Sequence, residues 1–139
     1  MVDFRSYTHD LMVATIHSML GTSLVHARDF WVAHPISRTT GEQDGEPFIA
    51  AWNSDTPQPL DDEVRKHFLE NEYELRAAHI RRYRDEALSN SDGRADAPTD
   101  APEFAKAKAA AWAEYRAALR DVTNQAGFPF DITWPALPA

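Results

Sequence analysis

The chain has 139 residues, no cysteine, and a formal charge of −8 from 22 acids and 14 bases. That length suits one domain, or a small domain with an appendage, and it can bury a core without covalent staples. Without thiols there is no disulfide framework, thiolate-zinc site, iron–sulfur cluster or cysteine nucleophile, and the acidic balance has the wrong sign for a phosphate-backbone partner.

Residues 7–20 read as an amphipathic helix. Met12, Ile16, Met19 and Leu20 fall at helical spacing, and Gly21 stands where a C-terminal cap belongs. Phe30-Trp31-Val32-Ala33-His34 and Phe48-Ile49-Ala50-Ala51-Trp52 are short aromatic and β-branched runs. The segment between them, 37–47, is rich in turn residues, which predicts a β-hairpin with a long loop. A two-stranded hairpin is marginal in water, so it must pack on the helices or gain strands from a partner.

Residues 53–60 form a proline-rich connector. Asp61 or Asp62 then offers an N-cap for one long helix running from about residue 62 to 88. Val64, Phe68 and Leu75 make one apolar stripe on it. Leu69, Tyr73, Ile80, Tyr83 and Ala87 make a neighbouring stripe, and two stripes require two packing partners. A polar linker occupies 89–102, and an alanine-rich helix follows over 103–122, with Trp112, Tyr115 and Leu119 sharing a face. The linker would join the two long helices as an antiparallel pair.

In the final segment, Phe128, Phe130, Ile132 and Trp134 alternate with Pro129, Asp131, Thr133 and Pro135. An extended chain would put the four large apolar groups on one side. The prolines exclude a helix and a central strand, and an exposed face of this kind must dock somewhere. The expected fold class is α+β: an N-terminal helix, a β-hairpin, an antiparallel long-helix pair and an extended aromatic–proline tail. The expected division is a helix-plus-hairpin module over 1–60 and a helical hairpin with its tail over 61–139.

Catalytic chemistry finds little footing. No glycine-rich phosphate loop and no Gly-x-Ser-x-Gly elbow occur. His9, His17, His26, His34, His67 and His79 are scattered along the chain, and His9 and His17 lie two turns apart, too far to share an ion. Asn90-Ser91-Asp92-Gly93 departs from a calcium loop in its glycine offset and lacks a closing glutamate. Seven acids without a base between Glu42 and Glu63 read as a solvated rim. No cofactor and no metal are expected, and a small metal-dependent hydrolase is the weaker alternative. No apolar run approaches the ~20 residues of a membrane span, and the first residues lack the features of a signal peptide. Synthesis in a cytoplasm is therefore expected, with neither nucleic acid nor membrane as partner.

Binding remains. Phe128, Phe130, Ile132 and Trp134 form the expected docking strip, with Trp112 and Tyr115 as platform or second anchor. The strip either packs on this chain's own elements or adds to a partner's sheet edge or groove.

The C-terminal third also carries an ordered set of short motifs. They are Arg84-Asp85-x-x-Leu88-x-x-Ser91-Asp92, then Trp112-x-x-Tyr115-Arg116-x-x-Leu119-Arg120-Asp121, then Gln125-Ala126-Gly127-Phe128-Pro129, and finally Ile132-Thr133-Trp134-Pro135. Over about residues 84–138 this set resembles the bacteriophage tail assembly chaperone family. The resemblance implies a non-enzymatic role in building or attaching tail fibres, in the host cytoplasm during assembly. The implied partner is a tail-fibre, baseplate or other tail protein, with a homo-oligomer as a further option. Either the protein covers apolar surface on a tail subunit and is released, or it stays in the particle as a structural adaptor.

Overall fold

A computed structural model describes residues 3–139. Helix α1 (His9–Leu20) begins where the Thr8 hydroxyl accepts the Leu11 N–H at 3.4 Å. It ends at Gly21, whose φ of +91° lets its N–H return to the His17 carbonyl. Leu11, Met12, Thr15 and Ile16 face inward. Away from water, the Thr15 hydroxyl donates to the Leu11 carbonyl at 2.6 Å, which satisfies it within the helix.

Strands β1 (Phe30–Ala33) and β2 (Phe48–Trp52) form the expected antiparallel hairpin, with Phe30 opposite Trp52 and Val32 opposite Ile49. The register shifts between Trp31 and Val32, which leaves Ala50 as an extra residue on β2. That bulge lets Ile49 and Trp52, three positions apart, meet the same inward face as Phe30 and Val32.

The outer margins of this small sheet are occupied. On β1 the Val32 N–H donates to His26 Nε2 at 3.1 Å, and the Phe30 carbonyl accepts the Ala27 N–H at 2.8 Å. On β2 the Ile49 N–H donates to Asp61 Oδ1 at 2.9 Å. The turn leading into β1 is held by Asp29, which accepts the Val25 N–H at 2.7 Å and the Arg28 guanidinium. Those bonds, the Arg28 pair first, keep its carboxyl below the usual carboxylate range.

Helix α2 (Asp61–Glu70) completes the layer. Met12, Ile16, Leu24, Phe30, Val32 and Val64 make the core, with Tyr7, Val13, Met19, Leu20, Ile49 and Trp52 packed around it. The hairpin is thus stabilised by helices, as a two-stranded sheet requires. Tyr7 stacks on Phe68 at 4.6 Å between ring centres, and its buried hydroxyl has no hydrogen-bond partner among the described residues. Burial pushes that phenol's pKa well up. Because an unsatisfied buried hydroxyl costs about 1–3 kcal/mol, Tyr7→Phe is expected to stabilise the fold by about 1 kcal/mol. Urea denaturation checks this; an unchanged or lower midpoint counts against it.

The long helix expected over 62–88 is two helices. α2 ends at Glu70, and α3 (Glu72–Asn90) starts after Asn71, whose φ of −123° and ψ of 24° leave the helical region. The Asn71 N–H is shared between the His67 and Phe68 carbonyls at 3.1 Å, and its side-chain amide donates to His67 O at 2.9 Å. An asparagine that competes in this way for the last carbonyls ends a helix that neighbouring propensities would continue. The break also divides the second stripe: Leu69 and Tyr73 are exposed, whereas Ile80 is buried. The N-cap is Leu60, not Asp61 or Asp62. Glu63 Oε2 accepts the Leu60 N–H at 3.2 Å, while the Asp61 carboxylate is engaged on β2.

The chain divides into two units, one ending at Arg76 and one beginning at Ala77, inside α3. The proline-rich connector lies within the first unit, where the Trp52 indole donates to the Thr56 carbonyl at 2.7 Å. Arg76 closes that unit. It pairs with Glu72 at 2.9 Å, donates to the Phe4 carbonyl at 2.9 Å, and lies over the Phe68 ring.

Candidate protein-binding site

The second unit is built from the remainder of α3, the 91–102 linker, α4 (Glu103–Asp121), one 3-10 turn (Val122–Asn124) and the tail. Ala77, Ile80, Leu119 and Val122 are its most buried aliphatic groups, and Pro129 of the tail joins them. Arg116, projecting from α4, ties the end of α3 to it. Its guanidinium donates to the Leu88 carbonyl, to Ser91 Oγ at 2.8 Å and to Asp92 Oδ1 at 3.0 Å. The Ser-Asp pair and the arginine that follows Tyr115 therefore form one hydrogen-bonded cluster, 24 residues apart for the Arg116–Asp92 pair. A guanidinium suits this place because its planar fork can satisfy several oxygens at once.

Trp112 and Tyr115 meet edge to face at 5.6 Å, and the Arg94 guanidinium covers the indole at 4.8 Å. Together with Ala87, Asn90, Ser91, Leu137 and Pro138 these three residues line an open groove of about 460 Å³. Its walls are mainly apolar, with Arg94, Ser91 and Asn90 as polar points. Trp112 and Tyr115, expected as a platform, share a helix face in the sequence and both line this groove. Arg94, Leu137 and Pro138 were not legible in the sequence, since linker and terminal residues carry no periodicity.

The tail differs from the expected extended strip. Residues 126–130 are a turn containing a cis Phe128–Pro129 peptide, and the Phe130 and Asp131 N–H groups both donate to the Gly127 carbonyl at 2.8 Å. The backbone passes so close here that a Cβ on Gly127 would lie 2.1 Å from the Asp131 carbonyl oxygen. Strict alternation of sides is lost at this turn. Phe128, Ile132 and Trp134 are half-buried, Phe130 is exposed, and the Arg81 guanidinium lies over the Phe128 ring at 5.5 Å. Beyond the turn the chain is held by one side chain. The Gln125 amide donates to the Thr133 carbonyl at 2.8 Å and accepts the Thr133 N–H at 2.7 Å, imitating a neighbouring strand.

Comparison with known families divides the chain at the same place. Residues 77–139 match the model described as phage tail assembly chaperone protein. The C-terminal unit belongs to the phage tail assembly chaperone family. Residues 20–78 match a second model, described as XkdW protein, so the two matches meet at the boundary between the units. No curated protein and no solved structure matches the chain. The match supports a role in phage tail assembly. The Arg116 cluster, the Gly127 turn and the Gln125 clasp all lie within the chaperone-family match. No helix among the described residues is long and apolar enough to cross a membrane.

Proposed function

We propose that the protein acts in tail assembly by binding a tail-fibre, baseplate or other tail protein, without catalysing a reaction. The contact surface in this reading is the Trp112–Tyr115 groove together with Phe130, Ile132, Trp134 and the Leu137 side chain. The supporting observation is an aromatic–proline segment bound to its own unit through Gln125 and Pro129 while Phe130 and Leu137 stay exposed. A pre-ordered apolar surface loses little conformational freedom on binding and dissociates slowly.

That same ordering favours retention as an adaptor in the finished particle over transient covering of a nascent subunit. Quantitative mass spectrometry of purified particles against infected-cell lysate separates the two roles. Stoichiometric presence in particles supports the adaptor, and presence in lysate alone supports a released chaperone. Trp134→Ala is expected to weaken partner binding by about 2 kcal/mol, roughly thirtyfold in Kd. If Kd holds while the protein melts earlier, Trp134 serves only the packing of its own unit.

A further inference from the structure

The six histidines, scattered in sequence, are not all apart in space. His9 opens α1, His34 follows β1, and their Nδ1 atoms face each other at 3.0 Å with ring centres 4.8 Å apart. On its far side His9 Nε2 lies 3.2 Å from Asp10 Oδ1. The nearby negative charge favours the tautomer with the His9 proton on Nε2, which leaves the Nδ1 lone pair for the contact with His34. The shared contact then requires the His34 proton to sit on Nδ1.

We propose that His9 and His34 are the two protein ligands of a site for a divalent transition-metal ion of the zinc, copper or nickel class. The spacing fits. With metal–nitrogen bonds of about 2.0–2.1 Å, two imidazole nitrogens stand about 3.4 Å apart on a tetrahedral ion and about 2.9 Å apart at the right angle of a tetragonal one. The observed separation lies between those values. The bridging proton leaves Nδ1 and the ion binds to one side of the line joining the two nitrogens; His34 changes to its Nε2–H tautomer, so two neutral rings bind without net proton release. Asp10 occupies the outer position that a carboxylate fills behind many metal-bound histidines. No set of three or more candidate ligands assembles among the described residues, so water fills the other positions and the ion exchanges freely. Nitrogen donors of this type exclude magnesium and calcium.

The test titrates the full chain, carrying no polyhistidine tag, with Zn²⁺ and separately with Cu²⁺ by calorimetry. Nitrogen-15 shifts of the imidazoles report which ring nitrogen is bound. One ion per chain, ligated through Nδ1 of both rings, is expected. Asp10→Asn should weaken affinity about tenfold, and His9→Gln or His34→Gln by more than that. Circular dichroism first confirms that the His34→Gln variant is folded; His9→Gln decides the matter if it is not. Magnesium should give no heat. Absence of binding at millimolar Zn²⁺ and Cu²⁺ overturns the proposal, as does unchanged affinity in His9→Gln or ligation through Nε2.

Discussion

Phe30→Ala is expected to cost about 3–5 kcal/mol, the largest loss available in the first unit. The ring is fully buried and lies against Trp52, His17 and His26, with centroid distances of 5.6, 5.8 and 5.5 Å. It therefore joins β2, α1 and the turn before β1 in one packing contact. A unit of this size has a stability near the lower end of the usual 5–15 kcal/mol, so the variant stands at the edge of unfolding. In hydrogen exchange, amides of α1 and both strands should lose most of their protection. Retention of native protection in α1 would show that the ring is dispensable. Trp31 on the opposite face of β1 is exposed, and its replacement by alanine serves as the control.

Gly127→Ala has the largest expected effect in the second unit, about 3 kcal/mol. The clash is with a backbone oxygen, which no rotamer change relieves. Either the turn opens or the segment after it moves, and in both cases the Gln125–Thr133 clasp is lost. Three kcal/mol corresponds to roughly a hundredfold larger open population, and proteolysis follows that population when reclosing is fast. Chymotrypsin should therefore cleave after Phe130 about a hundred times faster than in the parent chain, whereas Phe128 and Trp134 each precede a proline and resist it. Cleavage at the parental rate would show that the tail is held by its aromatic groups alone. Gln125→Ala, which removes the clasp and leaves the turn intact, should give a smaller acceleration.

The elements legible in the sequence are those with one dominant period and a clear terminator. α1 has its apolar spacing and Gly21, the hairpin has two aromatic runs about a turn-rich loop, and α4 has its Trp112–Tyr115–Leu119 face. The α+β class follows from these. Two local departures share a cause: a single residue overrode the surrounding pattern. Asn71 interrupts a stretch whose flanks both favour helix, because its amide competes for His67 O. At the tail, alternation read as an extended face, while the close approach at Gly127 required a turn. Pairings between distant residues were illegible for another reason. Arg116 with Asp92, and His9 with His34, are contacts between elements, and nothing in the local period of either partner points to the other. The resemblance covered about 84–138 and thus most of the chaperone-family match, but the first unit offered no motif that pointed to its own family.

The small sheet of the first unit has a further consequence for assembly. A hairpin in solution usually presents unpaired main-chain groups on both flanks, and these groups select no sequence; any extended peptide can join them. Here an imidazole, a loop amide and a carboxylate engage the Val32 N–H, the Phe30 carbonyl and the Ile49 N–H on those flanks. Main-chain recognition, including recognition by a second copy of the same chain, finds no vacant donor at Val32 or Ile49. Selectivity in this unit falls to side-chain shape and charge.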